Sequence, residues 1–396
     1  MNISTLQSNL DFIKSLFFHE EWKDEKCRDT ILEAIEECNE KIEKAFGQSM
    51  HYLYKHESSV EAVEKVVKKF PSTLSYVDED YECIPIQTAA GGDGYEYVPV
   101  LAKLGMKHKV GGGDARGGLL MIDPYDNREW NALQWLVTEN GDLKKLNVLK
   151  ELRRSGLLLK EDIREYNLLH YSCYDSIIWY LIAWDPDALI ETRIGDKPLI
   201  HYTANEKYLQ LAYHSLHLFL KAGFKYHPEI GGLLFVKDDS GIIVIDKICK
   251  EIGETKTMEI LHDILSATRD YPILHHVFIK APKHKDLFAE KFPWAYHLKD
   301  HNGRTLHQAL LAEGPEVMKD HRMLFASLTD NQIQTKDPVT TLYPFATMAV
   351  GEHVDLDKCL YLLRRQPSVL ERRSRTENNR RRNKRKIYAD SHGTQI

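Results

Sequence analysis

A hexad of apolar and polar residues recurs eight times along the chain, and this recurrence limits the possible folds more than any other feature. Asn167 to Ser172 reads NLLHYS, Pro198 to Thr203 reads PLIHYT, and Pro272 to Val277 reads PILHHV. Looser copies begin at Ile84 (IPIQTA), Asn131 (NALQWL), Ile243 (IVIDKI), Thr305 (TLHQAL) and Thr341 (TLYPFA). The fourth place is held by Gln87, Gln134, His170, His201, Asp246, His275, Gln308 and Pro344, at intervals of 29 to 47 residues. A chain of 396 residues is longer than a single hydrophobic core usually serves, and stacked repeats offer one way to bury its apolar side chains.

Each hexad starts a helix-like run, and a second signal marks where such runs stop. KFPSTL from Lys69, WDPDAL from Trp184, KFPWAY from Lys291 and RQPSVL from Arg365 place a proline where a helix would have to continue. The proline ring clashes with the preceding turn and has no N–H to offer, so a helix ends before it. VDEDYE from Val77, RIGDK from Arg193, DDSG from Asp238 and DHNG from Asp300 supply residues that tolerate tight or left-handed backbone. The unit therefore reads helix, short loop, helix, proline stop, turn.

The hexads resemble the TPLHxA signature of ankyrin repeats. DHNGRTLHQALLAEG from Asp300, DDSGIIVIDKICKEIG from Asp238 and the LFLKAG run ending at Gly223 extend the likeness. The Thr-Pro pair is intact in no copy, and Asp246 and Pro344 stand where the family has histidine. The resemblance implies an all-α, ankyrin-like helical repeat solenoid of about 7–8 helix-turn-helix units over residues 61–370. It also implies that His170, His201 and His275 hold the turn and the first helix by local hydrogen bonds, with Gln87, Gln134 and Gln308 making similar bonds. Leu133, Leu169, Ile200, Ile245, Leu274 and Ile86 are then expected to pack between units. HEAT or armadillo arrays are the rival helical reading, and they lack the Asp/Gly hairpin.

Residues 1–60 fall outside the repeat. A helical stripe at Ile31, Ile35, Cys38, Ile42 and Phe46 predicts an N-terminal cap. Residues 371–396 carry nine Arg or Lys against three acids, a balance of +6 that leaves −12 on residues 1–370, and this tail is expected to be disordered. Six cysteines without a CxxC pair read as reduced thiols of a cytoplasmic or nuclear protein. The N-terminus has neither the basic start nor the small-residue cleavage site of a signal peptide, and no apolar run is long enough for a membrane span.

No catalytic residue, metal site, cofactor or small-molecule substrate is expected. HExxH is absent, His214 and His217 form the nearest ligand pair, and adjacent His275 and His276 point to different sides of their element. The glycines at 91–94 and 111–118 match neither a Walker loop nor a dinucleotide fingerprint, and they read as flexible loops in an insertion. Five residues beyond the fourth place stand Gly92, Glu139, Asp175, Glu206, Glu251, Lys280, Glu313 and Ala349, five of the eight acidic. By the ankyrin resemblance this position lies near the end of the first helix on the concave side, where an acidic row favours a basic partner.

Trp130, Trp135, Tyr174 and Tyr202 could supply aromatic anchors. The candidate protein-binding set is Trp130, Glu139, Tyr174, Asp175, Asn205, Glu206, Glu251, Arg304 and Glu313. The expected function is a protein-interaction scaffold. The tail from Arg372 to Lys386 resembles a nuclear-import signal or a nucleic-acid contact, and an enzyme with a site in the insertions at 105–130 or 223–240 is the remaining alternative.

Overall fold

The computed structural model describes residues 25–52, 59–78, 82–122, 129–138, 143–195, 197–204, 209–267, 269–313, 333–349 and 356–365. These are predominantly α-helical. The chain divides into two compact units, Met1–Gly195 and Asp196–Ile396. The basic tail, with Glu139, Asn205 and Glu206, lies outside the described residues.

In the first unit the helices that build the packing are α1 (Glu25–His51), α2 (Val60–Lys69), α3 (Pro85–Gly91), α4 (Val98–His108), α5 (Ala132–Val137), α6 (Leu143–Arg154), α7 (Leu168–Tyr171) and α8 (Asp175–Trp184), with single helical turns at Asp162–Glu165 and Ala188–Glu191. They pack in chain order as two alternating series. α3 meets α5 and α5 meets α7, while α4 meets α6 and α6 meets α8. α1 lies against α3 and the 3-10 turn Pro71–Ser75. Buried His51 joins these elements, with Nδ1 2.6 Å from Thr88 Oγ1 and Nε2 3.2 Å from the Tyr76 carbonyl.

The second unit contains α9 (Leu199–Thr203), α10 (Leu209–Tyr226), α11 (Val244–Ile252), α12 (Glu254–Ser266), α13 (Ile273–Lys280), α14 (Lys285–Lys291), α15 (Leu306–Ala312), α16 (Pro344–Ala349) and α17 (Leu356–Arg365). Here α9 meets α11, α13 meets α15 and α15 meets α16, while α10 meets α12 and α12 meets α14. Ile86, Leu133, Leu169, Ile200, Ile245 and Leu274, the apolar residues of the hexads, are all buried. Full burial of such a side chain contributes about 1.5–3 kcal/mol, so these positions anchor the packing.

Local chemistry sets the helix ends. Ser59 caps α2 by accepting from the Ala62 N–H, and Val63 and Val67 form its buried stripe. α2 stops at Phe70 and α14 at Phe292, each followed by a proline that opens a 3-10 turn, and α8 stops at Asp185 before Pro186. Asn131 and Gln134 cap α5 reciprocally, the Gln134 N–H donating to Asn131 Oδ1 and the Asn131 N–H to Gln134 Oε1.

Two of the turns are near copies of each other. Asp238 Oδ1 accepts from the N–H groups of Ser240 and Ile242, and Asp300 Oδ1 accepts from those of Asn302 and Arg304. Each turn closes through a left-handed glycine, Gly241 at φ 79° and Gly303 at φ 75°.

The glycine-rich stretch after α4 differs from the flexible loop that composition suggests. Gly113–Gly118 forms a 3-10 turn packed along α4. The backbones approach so closely that a Cβ on Gly105 would stand 2.2 Å from the Gly117 carbonyl oxygen. Arg116 ties the turn to the next helix pair by donating to the Leu157 carbonyl and to buried Asp162. The glycines here permit contact, because any side chain would separate two main chains.

Gly105→Ala is therefore expected to destabilise the protein by about 1–3 kcal/mol, as overpacking does. Alanine at exposed Gly113, which has nothing within 4 Å of its Cβ position, is expected to change stability little. Urea unfolding of the two variants checks this, and equal midpoints would contradict the close-packed turn.

Candidate functional site

The side chains in the fourth place of the hexads do more than brace their own turns. Each of five reaches forward 28 to 35 residues, where its Nε2 donates to a main-chain carbonyl. Gln87 reaches Met121 at 2.9 Å, Gln134 reaches Tyr166 at 3.2 Å, and His201 reaches Val236 at 2.9 Å. His275 reaches Arg304 at 3.2 Å and Gln308 reaches Lys336 at 3.0 Å. The receiving carbonyls belong to the segment leading into the next hexad.

The three glutamines also use Oε1 locally, accepting from the N–H groups of Ile84, Asn131 and Thr305. Local bonding is thus half of the role, and the forward bond is the half that links successive helix pairs. At Asp246 the polarity reverses, because a carboxylate can only accept. His284 Nε2 donates to Asp246 Oδ1 at 2.8 Å, and Lys283 lies 2.7 Å from Oδ2. Proline at 344 has no side-chain donor.

Donation by Nε2 fixes the tautomer of His201 and His275 and leaves Nδ1 without a proton. Burial lowers the pKa of both, against smaller opposing effects of the accepting carbonyls and of Asp238 and Asp300. His276 is pushed down to about 4 by burial and then by Lys280. Its ring is stacked between Tyr271, 5.9 Å away, and Phe235, 6.0 Å away.

The expected binding residues fall into different surroundings. Glu251 is the penultimate residue of α11 and Glu313 caps α15, so both sit at the ends of first helices. Asp175 instead opens α8, the second helix of its pair, because α7 has already ended at Tyr171. Lys280 interrupts the acidic positions as the last residue of α13, donating to the Ile230 carbonyl at 2.9 Å. Arg304 is engaged internally, its Nε 2.7 Å from Asp337 Oδ2. Asp337 is buried, which works to raise its pKa, but the bonds from Arg304 and Thr340 outweigh burial and hold it below the usual range.

Trp130 and Tyr174 are both partly exposed. Trp130 stands edge-on to Trp135 at 4.9 Å and to Tyr171 at 5.0 Å, so three aromatic rings of neighbouring segments meet in one cluster. Beside it is a group that composition does not reveal, the fully buried side chain of Lys145, whose Nζ donates to the Trp135 carbonyl at 3.3 Å. Burial lowers the Lys145 pKa, and Asp93 and Cys173 work against that shift. Its position was legible in the helix period, since Lys145, Leu149 and Leu152 share one face of α6.

Another buried ion pair lies at Asp185, which takes a bidentate Arg164 at 2.5 and 2.6 Å and Lys160 at 3.1 Å. Burial would raise the Asp185 pKa, and these donors bring it below the ordinary value. Sequence spacing gives no sign of this pair.

Among the described residues no group of three or more His, Cys, Asp or Glu could hold a metal ion, and no helix is long and apolar enough to cross a membrane. No protein-family model, curated protein or solved structure matches the chain.

Gln134→Leu removes a forward donor and strands the Tyr166 carbonyl and the Asn131 N–H, so a loss of about 1–3 kcal/mol is expected from chemical denaturation. A midpoint equal to that of the unaltered chain would remove the forward bond from any structural role.

The pH dependence follows from the histidines. Their folded-state pKa values lie below the ordinary 6.5, so the unfolded chain takes up protons first. Their contribution is complete above about pH 6.5 and is lost as pH falls through the folded values, near 4 for His276. Each such histidine costs up to about 1.4 kcal/mol per pH unit within that window. Urea midpoints should fall between pH 7.5 and 5.0, and a rise would reverse the assignment of buried neutral histidines.

Proposed function

We propose that the chain is a non-enzymatic platform of ankyrin-type helix pairs, seven or eight distributed over its two units, that recognises a partner protein. The observation that carries this reading is the forward hydrogen bond repeated at Gln87, Gln134, His201, His275 and Gln308. A bond whose donor always stands in the same place of a repeat, and whose acceptor always lies one repeat ahead, fits a stack in which each unit contacts its neighbours. Packing of α3 on α5 and α5 on α7, and of α4 on α6 and α6 on α8, supports the same reading.

Such stacks present rows of equivalent side chains, and recognition is the function such rows serve best. Asp175, Glu251 and Glu313 lie at helix ends facing the loops, and the body carries −12 before the basic tail is counted. A partner with a basic face is favoured by that field. The cytoplasm or nucleus is the proposed compartment, and nucleic acid bound through Arg372 to Lys386 is the competing reading.

Affinity capture with the full chain, with D175K/E251K/E313K, and with a chain ending at Leu370 separates these readings. The platform predicts a protein partner retained by the shortened chain and lost, or weakened at least tenfold, by the charge reversal. Capture of nucleic acid alone, abolished by the truncation, would overturn it.

A further inference from the structure

We infer that the turns of the second unit carry a basic row, Lys237, Arg269, Lys299 and Lys336, that receives an extended acidic segment of the partner protein. The inference takes from the platform reading only that the partner is a protein, and it adds a contact surface of opposite sign. All four residues belong to the second unit.

Each base stands directly before the aspartate of its turn, Asp238, Asp270, Asp300 or Asp337, so it falls in the same place of four successive repeats. Asp238, Asp300 and Asp337 each spend a carboxylate oxygen on main-chain N–H groups of their own turns. The preceding base is exposed in all four. Lys237 and Lys299 are placed alike by the backbone, each bridged antiparallel to the residue six positions on, Ile243 and Thr305. Among the described residues no carboxylate is paired with any of the four bases, and Lys336 lies over the Tyr343 ring at 5.2 Å.

The forward bonds hold this row in place. His201 binds the Val236 carbonyl beside Lys237, His275 binds the Arg304 carbonyl that closes the turn of Lys299, and Gln308 binds the carbonyl of Lys336 itself. Bases carried on turns clamped in this way lose little backbone freedom when a ligand arrives. Glu251 and Glu313 lie at the far ends of α11 and α15, about 10–14 Å from these turns at a rise of about 1.5 Å per residue. That separation exceeds the Debye length of about 8 Å at physiological salt, so the row keeps its positive sign.

Stacked helix pairs stand about 8–10 Å apart, and an extended peptide advances about 3.3 Å per residue. An acid at every third residue of such a segment therefore meets one base per repeat. A nucleic-acid strand suits the row less, because exposed Asp239 and Asp270 in the same turns repel a chain that is charged at every nucleotide. A peptide places uncharged residues opposite them.

The test titrates the full chain into a fluorescently labelled decapeptide and reads anisotropy. The peptide has glutamate at its first, fourth, seventh and tenth places, with serine and glycine between. A second peptide carries glutamine at those places, and a third carries the same four glutamates in one block. A decathymidylate with the same label replaces the peptide in a final titration.

Saturable binding of the first peptide that weakens with added salt is expected, at least tenfold weaker with glutamine and at least threefold weaker with blocked glutamates. K237Q/R269Q/K299Q/K336Q is expected to lower the affinity at least tenfold, and K237R/K299R/K336R to keep it within twofold. The substituted side chains are exposed, so both variants are expected to fold, and circular dichroism checks this. No saturable binding, equal affinity for the glutamate and glutamine peptides, or unchanged affinity in the glutamine variant would overturn the row. Equal affinity for spaced and blocked glutamates would overturn the register of one base per repeat. Tighter binding of the decathymidylate, lost in the same variant, would overturn the acidic peptide in favour of a nucleic-acid contact. Failure here with the charge-reversal capture intact leaves the platform standing. Failure of that capture with the peptide response intact removes the acidic surface and keeps the basic row.

Discussion

The first constraint on the structure is the forward hydrogen bond by which a side chain of one helix pair reaches a main-chain carbonyl leading into the next. An unpaired buried carbonyl costs about 1–3 kcal/mol, more than a single hydrogen bond contributes net. Gln87, Gln134, His201, His275 and Gln308 donate from the preceding pair, and the Val236 and Arg304 carbonyls also accept the N–H groups of Val244 and Asp300 within their own turns. Because donor and acceptor are 28 to 35 residues apart, the bond forms only when two neighbouring pairs are both folded and in register. Stability and alignment thus depend on the same contact, and the apolar residues beside each donor are buried as a consequence.

The donor must be a neutral side chain with an N–H, which explains why glutamine and histidine both occur there. Glutamine has an additional carbonyl and caps its own helix; histidine does not, and the two histidines reach forward to the turns that Asp238 and Asp300 hold. At Asp246 the exchange of donor for acceptor is matched by His284 and Lys283 from the following helix pair. Complementary exchange keeps the contact while changing its residues.

Charge is handled differently. Asp185 and Asp337 are buried, and each is paired with an arginine in a bidentate arrangement, so the desolvation of the carboxylate is offset by close donors. Lys145 has its ammonium turned to a main-chain carbonyl at the end of α5, where the helix dipole favours a cation. Other acids, among them Asp93 and Glu313, are exposed at the surface.

The sequence by itself determined the helical class, the period of the hexads, the proline stops after α2, α8 and α14, and the Asp/Gly turns. All of these depend on interactions within a few residues, namely backbone dihedrals, caps and one-sided burial. The aromatic cluster was half legible, since Trp130 stood out as an anchor while its contact with Tyr171 spans 41 residues. Only the tertiary structure decided that the fourth-place donors reach carbonyls 28 to 35 residues ahead, that Gly105 and Gly117 bring two backbones together, that Arg304 is engaged with Asp337, and that Asp175 begins a second helix. Those outcomes depend on which distant groups become neighbours, and local pattern carries no distance between segments that are remote along the chain.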